Sequence, residues 1–450
     1  MKHTRIVGLL AFSTLASACA MAPARNDSSP VAAAVITAGS STAQLPAPGD
    51  PYLDPQFLER ELTVDRAVQA ALVNNPQVRA QLARLDAAQA ERVQAGLIAN
   101  PMLSLMALRP EGGGRFELDY SLMQNLFDLI TRSRRIAVAD AASRQAEADV
   151  IGQLVALVQD TKAAYFDALS AQAGAAAQAE LWAIEKQRLQ LLSGQARQGA
   201  ISAVAMVEQQ GVRSRQTHQL QSAQARLSRA RSDLARQMGL ASASGLRLPA
   251  NLPAFGMPGL DEPALQALAA FHRAELRAAG ASVEQARAER VLQTGGLRAT
   301  QPSLGLAGVR EMSGQSLLGP SLQLSLPIFD TGQARRDLAA AREAQAGFAS
   351  EAIRRQVPLE VELAIATLVT ANAAAEAADQ HVNQLQQLEK LALKTYQQGV
   401  GDSANLLSAR RARLESVMEK IDAQQVRWTA IVNLERAVGV AVLGPAPAQR

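Results

Sequence analysis

The sequence predicts a mainly α-helical fold with a small membrane-spanning β part, built from a duplicated helix–strand–strand–long helix–helix unit. Two helical stretches, residues 132–194 and 331–397, are too long for a globular core at 1.5 Å per residue. Two pairs of short segments alternate apolar and polar residues. The same landmarks follow in the same order in both halves of the chain, about 200 residues apart.

The composition agrees with long, closely packed helices. Aromatic residues are only 3% of the 450 residues, and alanine, glutamine, arginine and leucine dominate. A single cysteine excludes both an intramolecular disulfide framework and a multi-cysteine metal cluster. The formal net charge of +4 is small for this length, so it gives no reason to expect nucleic acid as a partner.

Residues 1–18 have the pattern of a signal peptide that ends directly before Cys19. Lys2 and Arg5 precede an apolar run, and small residues lead up to the cysteine. This ending resembles a bacterial lipobox, in which the cysteine is diacylated and becomes the first mature residue. Ala20, rather than an aspartate, follows the cysteine, which in that lipoprotein class implies transport to the outer membrane. The alternative is an ordinary cleaved signal with an incidental cysteine.

The remaining chain is predicted to contain two structural repeats. Residues 19–60 are rich in proline, alanine, serine and glycine, and are expected to form a flexible lipidated arm. The repeats are residues 61–240 and 261–440, with a linker at 241–260 and a tail at 441–450. Since no stretch of about 20 uninterrupted apolar residues follows the signal, a membrane crossing would have to use strands.

Four strands are predicted, and their alternation suits a barrel wall. They lie at about residues 101–109, 115–124, 302–310 and 320–328. In the second strand one face carries Phe116, Leu118, Tyr120 and Leu122 and the other carries Glu117, Asp119 and Ser121. One apolar and one polar face is the pattern of a strand between lipid and water.

Four strands cannot close a barrel, so a transmembrane sheet requires several chains. An open sheet in lipid would leave unpaired backbone groups at both edges. Two chains would supply eight strands, which close around a filled interior, and three chains would supply twelve, which can leave a lumen. Geometry therefore favours a trimer if the protein conducts.

The long helices and the turns between them carry further signals. Leu154, Val158, Thr161 and Tyr165 follow the three–four spacing of supercoiled helices, and Leu385, Leu388, Ala392 and Thr395 repeat it. Pro358 is expected to kink or open the second long helix.

The two turns that end the long helices have the residues of helix caps. Gly199 and Gly399 suit left-handed C-caps, and Ser202 and Asp402 suit the N-caps of the returning helices.

No catalytic or cofactor-binding pattern is recognised. The sequence has no phosphate-binding loop, no HExxH pair and no nucleophile elbow. The histidines outside the signal, His218, His272 and His381, are not spaced as a ligand pair, so no metal site is predicted. We therefore expect a protein that is not an enzyme and has no cofactor.

Several segments resemble the TolC-like outer-membrane factor family, which comprises outer-membrane efflux proteins, and in particular its lipoprotein branch. They are LTVDRAVQAALVNNP (Leu62–Pro76), QNLFD (Gln124–Asp128) and QQGVGDSANLLSARR (Gln397–Arg411). The resemblance covers nearly all of both repeats. It implies a homotrimer in the outer membrane, with a twelve-stranded β-barrel on a periplasmic α-helical coiled-coil tunnel. It also implies a periplasmic adaptor and an inner-membrane efflux pump of the RND type as partners.

The resemblance assigns roles to the turn residues and leaves the cargo open. It implies adaptor contact at the periplasmic tip by Gln198, Gly199, Ser202, Gln398, Gly399, Asp402 and Ser403. Three copies of Asp402 would form an acidic ring that favours cations. Heavy-metal ions are one candidate cargo; drug efflux, type I secretion and a non-pore coiled-coil lipoprotein scaffold are the alternatives.

Overall fold

The computed structural model describes residues 29–39, 45–47, 49–53, 57, 60–198, 202–253, 261–294 and 300–442. The first half contains α1 (Ser29–Thr37), α2 (Val64–Asn74), α3 (Pro76–Gly96), β1 (Met102–Leu108), β2 (Glu117–Asn125), α4 (Leu126–Arg197) and α5 (Ala203–Gln237). The second half contains α6 (Glu262–His272), α7 (Ala274–Gln293), β3 (Ser303–Arg310), β4 (Ser316–Gln323), α8 (Gln333–Gln397) and α9 (Ser403–Val438). From α2 onward the second half repeats the element order of the first, which confirms the duplication.

The chain forms two compact units, and each unit draws on both repeats. One contains residues 82–148 and 277–351, which include the sheet. The other contains residues 29–81, 149–276 and the chain from 352 onwards. Equivalent parts of the two repeats therefore pack together, so a repeat is not an independent folding unit.

The four strands form one antiparallel sheet in the order β1-β2-β3-β4. Three strands lie within two residues of their predicted bounds. The fourth prediction, 320–328, is wrong, because β4 is Ser316–Gln323. Arg310 pairs with Ser316 across a short turn in which Gly314 has φ 91°, so the hairpin sets the start of β4. Pro327, which lacks an N–H donor, falls after the strand.

The unit that contains residues 29–81, 149–276 and the chain from 352 onwards is called the helical unit below. Its hydrophobic core contains a stacked aromatic pair. Trp428 of α9 stacks on Phe166 of α4 with ring centroids 5.1 Å apart. The predicted stripe of α4 is buried throughout, and Val158 and Ala168 have no exposed surface. Leu388 on α8 is exposed instead, so the corresponding stripe there is not covered within one chain.

The N-terminal arm is more ordered than predicted. Residues 19–60 were expected to be flexible throughout, but α1 packs with Val31, Val35 and Ala38 buried. The spacing of four places Val31 and Val35 on one helix face, and Ala38 follows directly after the helix. Backbone hydrogen bonding holds the end of α1, since the Ala441 N–H donates to the Thr37 carbonyl at 3.0 Å.

The second long helix runs without interruption through its proline. Pro358 lies inside α8, which spans 65 residues. Within the described part of the chain, α8 also contains the one 18-residue stretch that is apolar enough to cross a membrane, with a mean hydropathy of 1.3. A single such stretch, judged by length and composition alone, is a weak indication of a membrane helix.

Candidate functional site

The pairing of the strands sorts the sheet into one apolar and one mixed polar face. Tyr120 of β2 is opposite Leu105 of β1 and Gly308 of β3, and Leu306 is opposite Leu122. The apolar face therefore includes Leu103, Leu105, Leu118, Tyr120, Leu122, Leu304, Leu306, Leu318 and Leu322. The other face includes Ser104, Glu117, Asp119, Ser121, Asn125, Ser303, Ser321 and Gln323.

In β2 and β3 the two faces also differ in exposure. In β2, Leu118 and Leu122 are exposed, whereas Asp119 and Ser121 between them are partly covered. In β3 the burial pattern alternates in the same sense. An exposed apolar face and a more sheltered polar face are what a barrel wall presents to lipid and to its lumen.

Two glycines of β3 allow close packing within the sheet. A Cβ atom on Gly305 would overlap the Leu122 carbonyl oxygen, and one on Gly308 would lie 2.5 Å from the Tyr120 ring. Tyr120 therefore covers Gly308, which is buried although it is on the apolar face. At Gly305 the neighbouring backbone excludes a side chain, and at Gly308 the Tyr120 ring does.

Arginines secure the junctions between strands and long helices. Arg132 donates from Nε to the Gly96 carbonyl at 2.7 Å, and Arg135 donates to the Leu97 and Asp128 carbonyls at 2.9 and 3.1 Å. The Gly96 and Leu97 carbonyl oxygens at the end of α3 have no partner inside the helix, and the two arginines supply one. In the second half, Arg335 pairs with Asp330 at 2.8 Å.

The described turn residues have the predicted capping geometry. The Asp402 carboxylate accepts the Asn405 N–H at 2.7 Å, and the Ser202 hydroxyl accepts the Ala205 N–H at 3.2 Å. Gly399 has φ 75°, as a left-handed C-cap requires. Gly199 lies outside the described residues. These contacts explain the capping residues structurally, and their predicted role in adaptor contact remains a prediction.

A buried carboxylate connects three helices near the turns, and the sequence analysis missed it. Glu185 of α4 is 1% exposed, and it accepts hydrogen bonds from Gln209 of α5 and Arg411 of α9, both at 3.0 Å. The hydrogen bond that Arg411 donates to the Glu415 carboxylate raises the pKa of Arg411 against the effect of burial. Glu185 adds to the increase, so the guanidinium stays charged. A glutamate within an apolar helix stripe was the available signal.

A second buried ion pair, also missed, lies beside the N-terminal arm. Lys162 Nζ is 2.7 Å from Glu435 Oε2, and the two side chains are 10% and 4% exposed. A Cβ on Gly39 would overlap the Lys162 ammonium group, so the end of the arm lies directly against this pair. The partners are separated by 273 residues, and no local pattern could have joined them.

The described histidines do not form a metal centre. His381 lies 3.3 Å from Glu419 on the surface of α8 and α9. Among the described residues no group of three or more His, Cys, Asp or Glu side chains is arranged to hold a metal ion. Cys19, the predicted lipidation site, lies outside the described residues.

Comparison with known proteins identifies the fold. Residues 262–440 match the family described as outer membrane efflux protein. A search of curated protein sequences gave no match. The chain is similar to a solved membrane protein from Pseudomonas aeruginosa, with 22% identity and a TM-score of 0.66 over 89% of this chain and 99% of that one.

Two further solved structures have the same fold. CusC, whose structures concern transmembrane channel formation, is 19% identical with a TM-score of 0.67 over 89% of this chain and 99% of CusC. The CmeC outer membrane channel of Campylobacter jejuni is 15% identical with a TM-score of 0.67 over 89% and 94%.

The fold is therefore that of an outer-membrane channel protein, and the resemblance to TolC-like outer-membrane efflux proteins is confirmed. The assignment to the lipoprotein branch remains a prediction. Residues 262–440 match the outer membrane efflux protein family, and the first half repeats their element order. Proteins of this family are channels rather than enzymes.

Proposed function

We propose that the protein is the outer-membrane subunit of a tripartite efflux system. Three chains would form a conduit through which substrate passes passively to the exterior. An inner-membrane pump, of the RND type by resemblance, would supply the energy, and a periplasmic adaptor would join the two.

The open edges of the sheet carry this proposal. β1 and β4 are the edge strands, and the face that includes Leu105, Leu306 and Leu322 is exposed. In lipid, an unpaired strand edge costs several kcal/mol per unsatisfied group. Pairing of β4 with β1 of the next chain removes every edge, and three copies of four strands give a twelve-stranded barrel wide enough for a lumen.

Exposed apolar residues on α8 support assembly of the helical part as well. Phe348, Leu359, Leu363, Leu388 and Leu391 are all exposed in the single chain. Large apolar side chains exposed at several positions of one helix are available for contact with another chain. The same helix of neighbouring chains is the natural cover in a three-fold tunnel.

The lipid on Cys19 and the adaptor contact complete the proposed assembly. Replacing Cys19 with serine should abolish labelling of the protein by radioactive palmitate. At the other end, the adaptor would contact the turns that contain Gln198, Gly199 and Ser202 in one repeat and Gln398, Gly399, Asp402 and Ser403 in the other. Val400, 82% exposed, is available to such a partner.

The proposed function includes a candidate cargo. Heavy-metal ions are our first candidate, and drugs or a secreted protein are the alternatives. The acidic ring of three Asp402 side chains would favour cations over anions at the tunnel mouth.

Growth inhibition of a deletion strain and of its complemented parent tests the function. The panel contains copper, silver, zinc and cobalt together with dyes and antibiotics. Sensitivity of the deletion strain that complementation removes is the expected result, and its spectrum identifies the cargo. Equal growth of both strains on every compound would contradict the efflux function.

A further inference from the structure

Three methionines lie on the mixed polar face of the sheet. The register places Met102, Met106 and Met123 on the same face as Ser104 and Asp119. The chain has ten methionines in all. A channel lumen needs only polar, water-bearing side chains, and thioethers are not required there for pairing or for contact with lipid.

The methionines occupy two rungs of the β1–β2 ladder. Met102 is directly opposite Met123, and Met106 is directly opposite Asp119. Directly opposite residues have Cβ atoms about 4.5–5.5 Å apart, so both side chains of a rung can reach one ion. The rungs are four residues apart, or about 13 Å along the strands.

Each methionine is open to a ligand. Met102 is 71% exposed and Met106 is 51% exposed. Met123 leans over Gly305 of β3, where a Cβ atom would lie 2.7 Å from its sulfur. The absence of a side chain at Gly305 thus leaves room for the Met123 thioether on this face.

The carboxylate of the second rung has an unsatisfied oxygen. Asp119 Oδ1 is shielded from solvent and has no hydrogen-bond partner among the described residues. A buried carboxylate oxygen without a donor is costly, and a bound cation would remove the cost. A thioether opposite this carboxylate gives the rung one soft ligand and one negative charge.

We propose that these two rungs bind thiophilic monovalent cations, Cu(I) or Ag(I), as they pass through the conduit. Thioether ligands select soft cations such as Cu(I), whereas Mg²⁺ and Ca²⁺ prefer sets of oxygen ligands. Two weak sites in series also suit conduction, because an ion must leave each site as readily as it enters. The transport role rests on the proposed channel function, but binding by the purified protein does not.

The order of the rungs fits the direction of export. The Met102–Met123 rung lies next to the helical ends of the strands, because β2 continues directly into α4. The Met106–Asp119 rung lies toward the β1–β2 hairpin. A cation leaving the helical tunnel would therefore meet the paired thioethers first and the carboxylate second.

The test is isothermal titration calorimetry. Silver nitrate in chloride-free buffer is titrated into the purified full-length protein in detergent. The test variants are the double substitution Met102→Leu/Met123→Leu and the single substitution Asp119→Asn. Leucine keeps the side-chain volume and removes the sulfur. Met312→Leu is the matched control, because Met312 is exposed in the β3–β4 turn and lies outside both rungs.

We expect saturable silver binding to two classes of site in the wild type and the control. The double variant should lose the Met102–Met123 class, and Asp119→Asn should lose the Met106–Asp119 class. Magnesium should give no binding heat in any of them. Silver isotherms that are identical for the wild type and the double variant, with both proteins folded by circular dichroism, would overturn the proposal.

Complementation of the deletion strain separates this proposal from the channel function. If the double variant restores dye and antibiotic resistance and binds silver like the wild type, the site is wrong and the channel function stands. If the wild-type gene restores no resistance, but the purified double variant binds silver more weakly than the wild type, the site stands and the channel function is wrong.

Discussion

At the residue scale, breaking either of two buried polar contacts in the helical unit should lower the free energy of unfolding more than breaking an exposed ion pair does. Most ion pairs among the described residues are on the surface, and pairs such as Arg144–Glu284 contribute little because solvent screens them. Lys162 and Glu435 are nearly inaccessible instead, and α1 lies against them. The Tyr165 hydroxyl, also buried, donates to the Leu62 carbonyl at 3.0 Å.

Removal of one partner of the Lys162–Glu435 pair should destabilise the helical unit strongly. Lys162→Met would leave the Glu435 carboxylate buried without its cation, which costs about 3–5 kcal/mol. The double variant Lys162→Met/Glu435→Met should recover most of the loss. Guanidinium-induced unfolding followed by circular dichroism measures both, and a single variant as stable as the wild type would refute this role.

Tyr165 should give the stability a dependence on alkaline pH. Burial raises the pKa of Tyr165 above its ordinary value of 10.0, and the Glu61 and Asp65 carboxylates add to the increase. The folded protein therefore holds this proton more tightly than the unfolded chain does. The stabilisation is fully present below about pH 10 and declines as the pH rises above that value.

Tyr165→Phe tests this dependence. The variant should lose about 1 kcal/mol at neutral pH with its hydrogen bond, and its stability should fall less steeply above pH 10. Tyr396→Phe, at a surface position, is the control and should retain the wild-type profile. Parallel alkaline profiles for Tyr165→Phe and the wild type would show that the buried phenol is not responsible.

At the element scale, close contact between the backbones of β2 and β3 leaves no room for a side chain at one position. Gly305 of β3 and Gly319 of β4 are both on the mixed polar face of the sheet. At Gly305 a Cβ atom would overlap the Leu122 carbonyl oxygen, whereas at Gly319 nothing lies within 4 Å. The two positions thus form a matched pair for testing the register of β2 and β3.

Gly305→Ala should impair the sheet, and Gly319→Ala should not. The overlap would force strands apart at a cost of about 1–3 kcal/mol. We expect clearly less heat-resistant assembled protein in the outer-membrane fraction for Gly305→Ala, and a wild-type amount for Gly319→Ala. Equal amounts for the two variants would mean that β2 and β3 pair in another register.

Capping and charge at Asp402 can be separated by substitution. Asp402→Ala removes the acceptor for the Asn405 N–H and should destabilise the start of α9 by about 0.5–2 kcal/mol. Asp402→Asn keeps the cap and removes the charge. A lower cation preference in bilayer conductance for both variants, with destabilisation only for alanine, supports the acidic ring; an unchanged preference in Asp402→Asn argues against it.

The features that could be predicted from the sequence are those that depend on residues close together in the chain. The caps at Ser202 and Asp402, the break at Gly399 and the buried stripe from Leu154 to Ala168 depend on residues within one or two helical turns. The start of β4 was misplaced because hairpin pairing, rather than its own alternation, determines it. The same limit applies to Met102 and Met123, which become neighbours only through the β1–β2 register.

At the scale of the whole molecule, pairing across long sequence separations determines what the chain can do. The sheet brings β2 and β3 together from opposite repeats, and the Lys162–Glu435 pair joins segments 273 residues apart. One chain still leaves two sheet edges and the apolar residues of α8 exposed. The proposed function depends on further copies of the same chain covering both.

Electron cryomicroscopy of the full-length protein, purified from outer membranes in detergent, tests this dependence most directly. The account predicts three-fold particles with a closed twelve-stranded barrel, in which β4 of each chain pairs with β1 of the next. A particle of one or two chains, or a trimer whose four-stranded sheets stay separate and open at their edges, would contradict it.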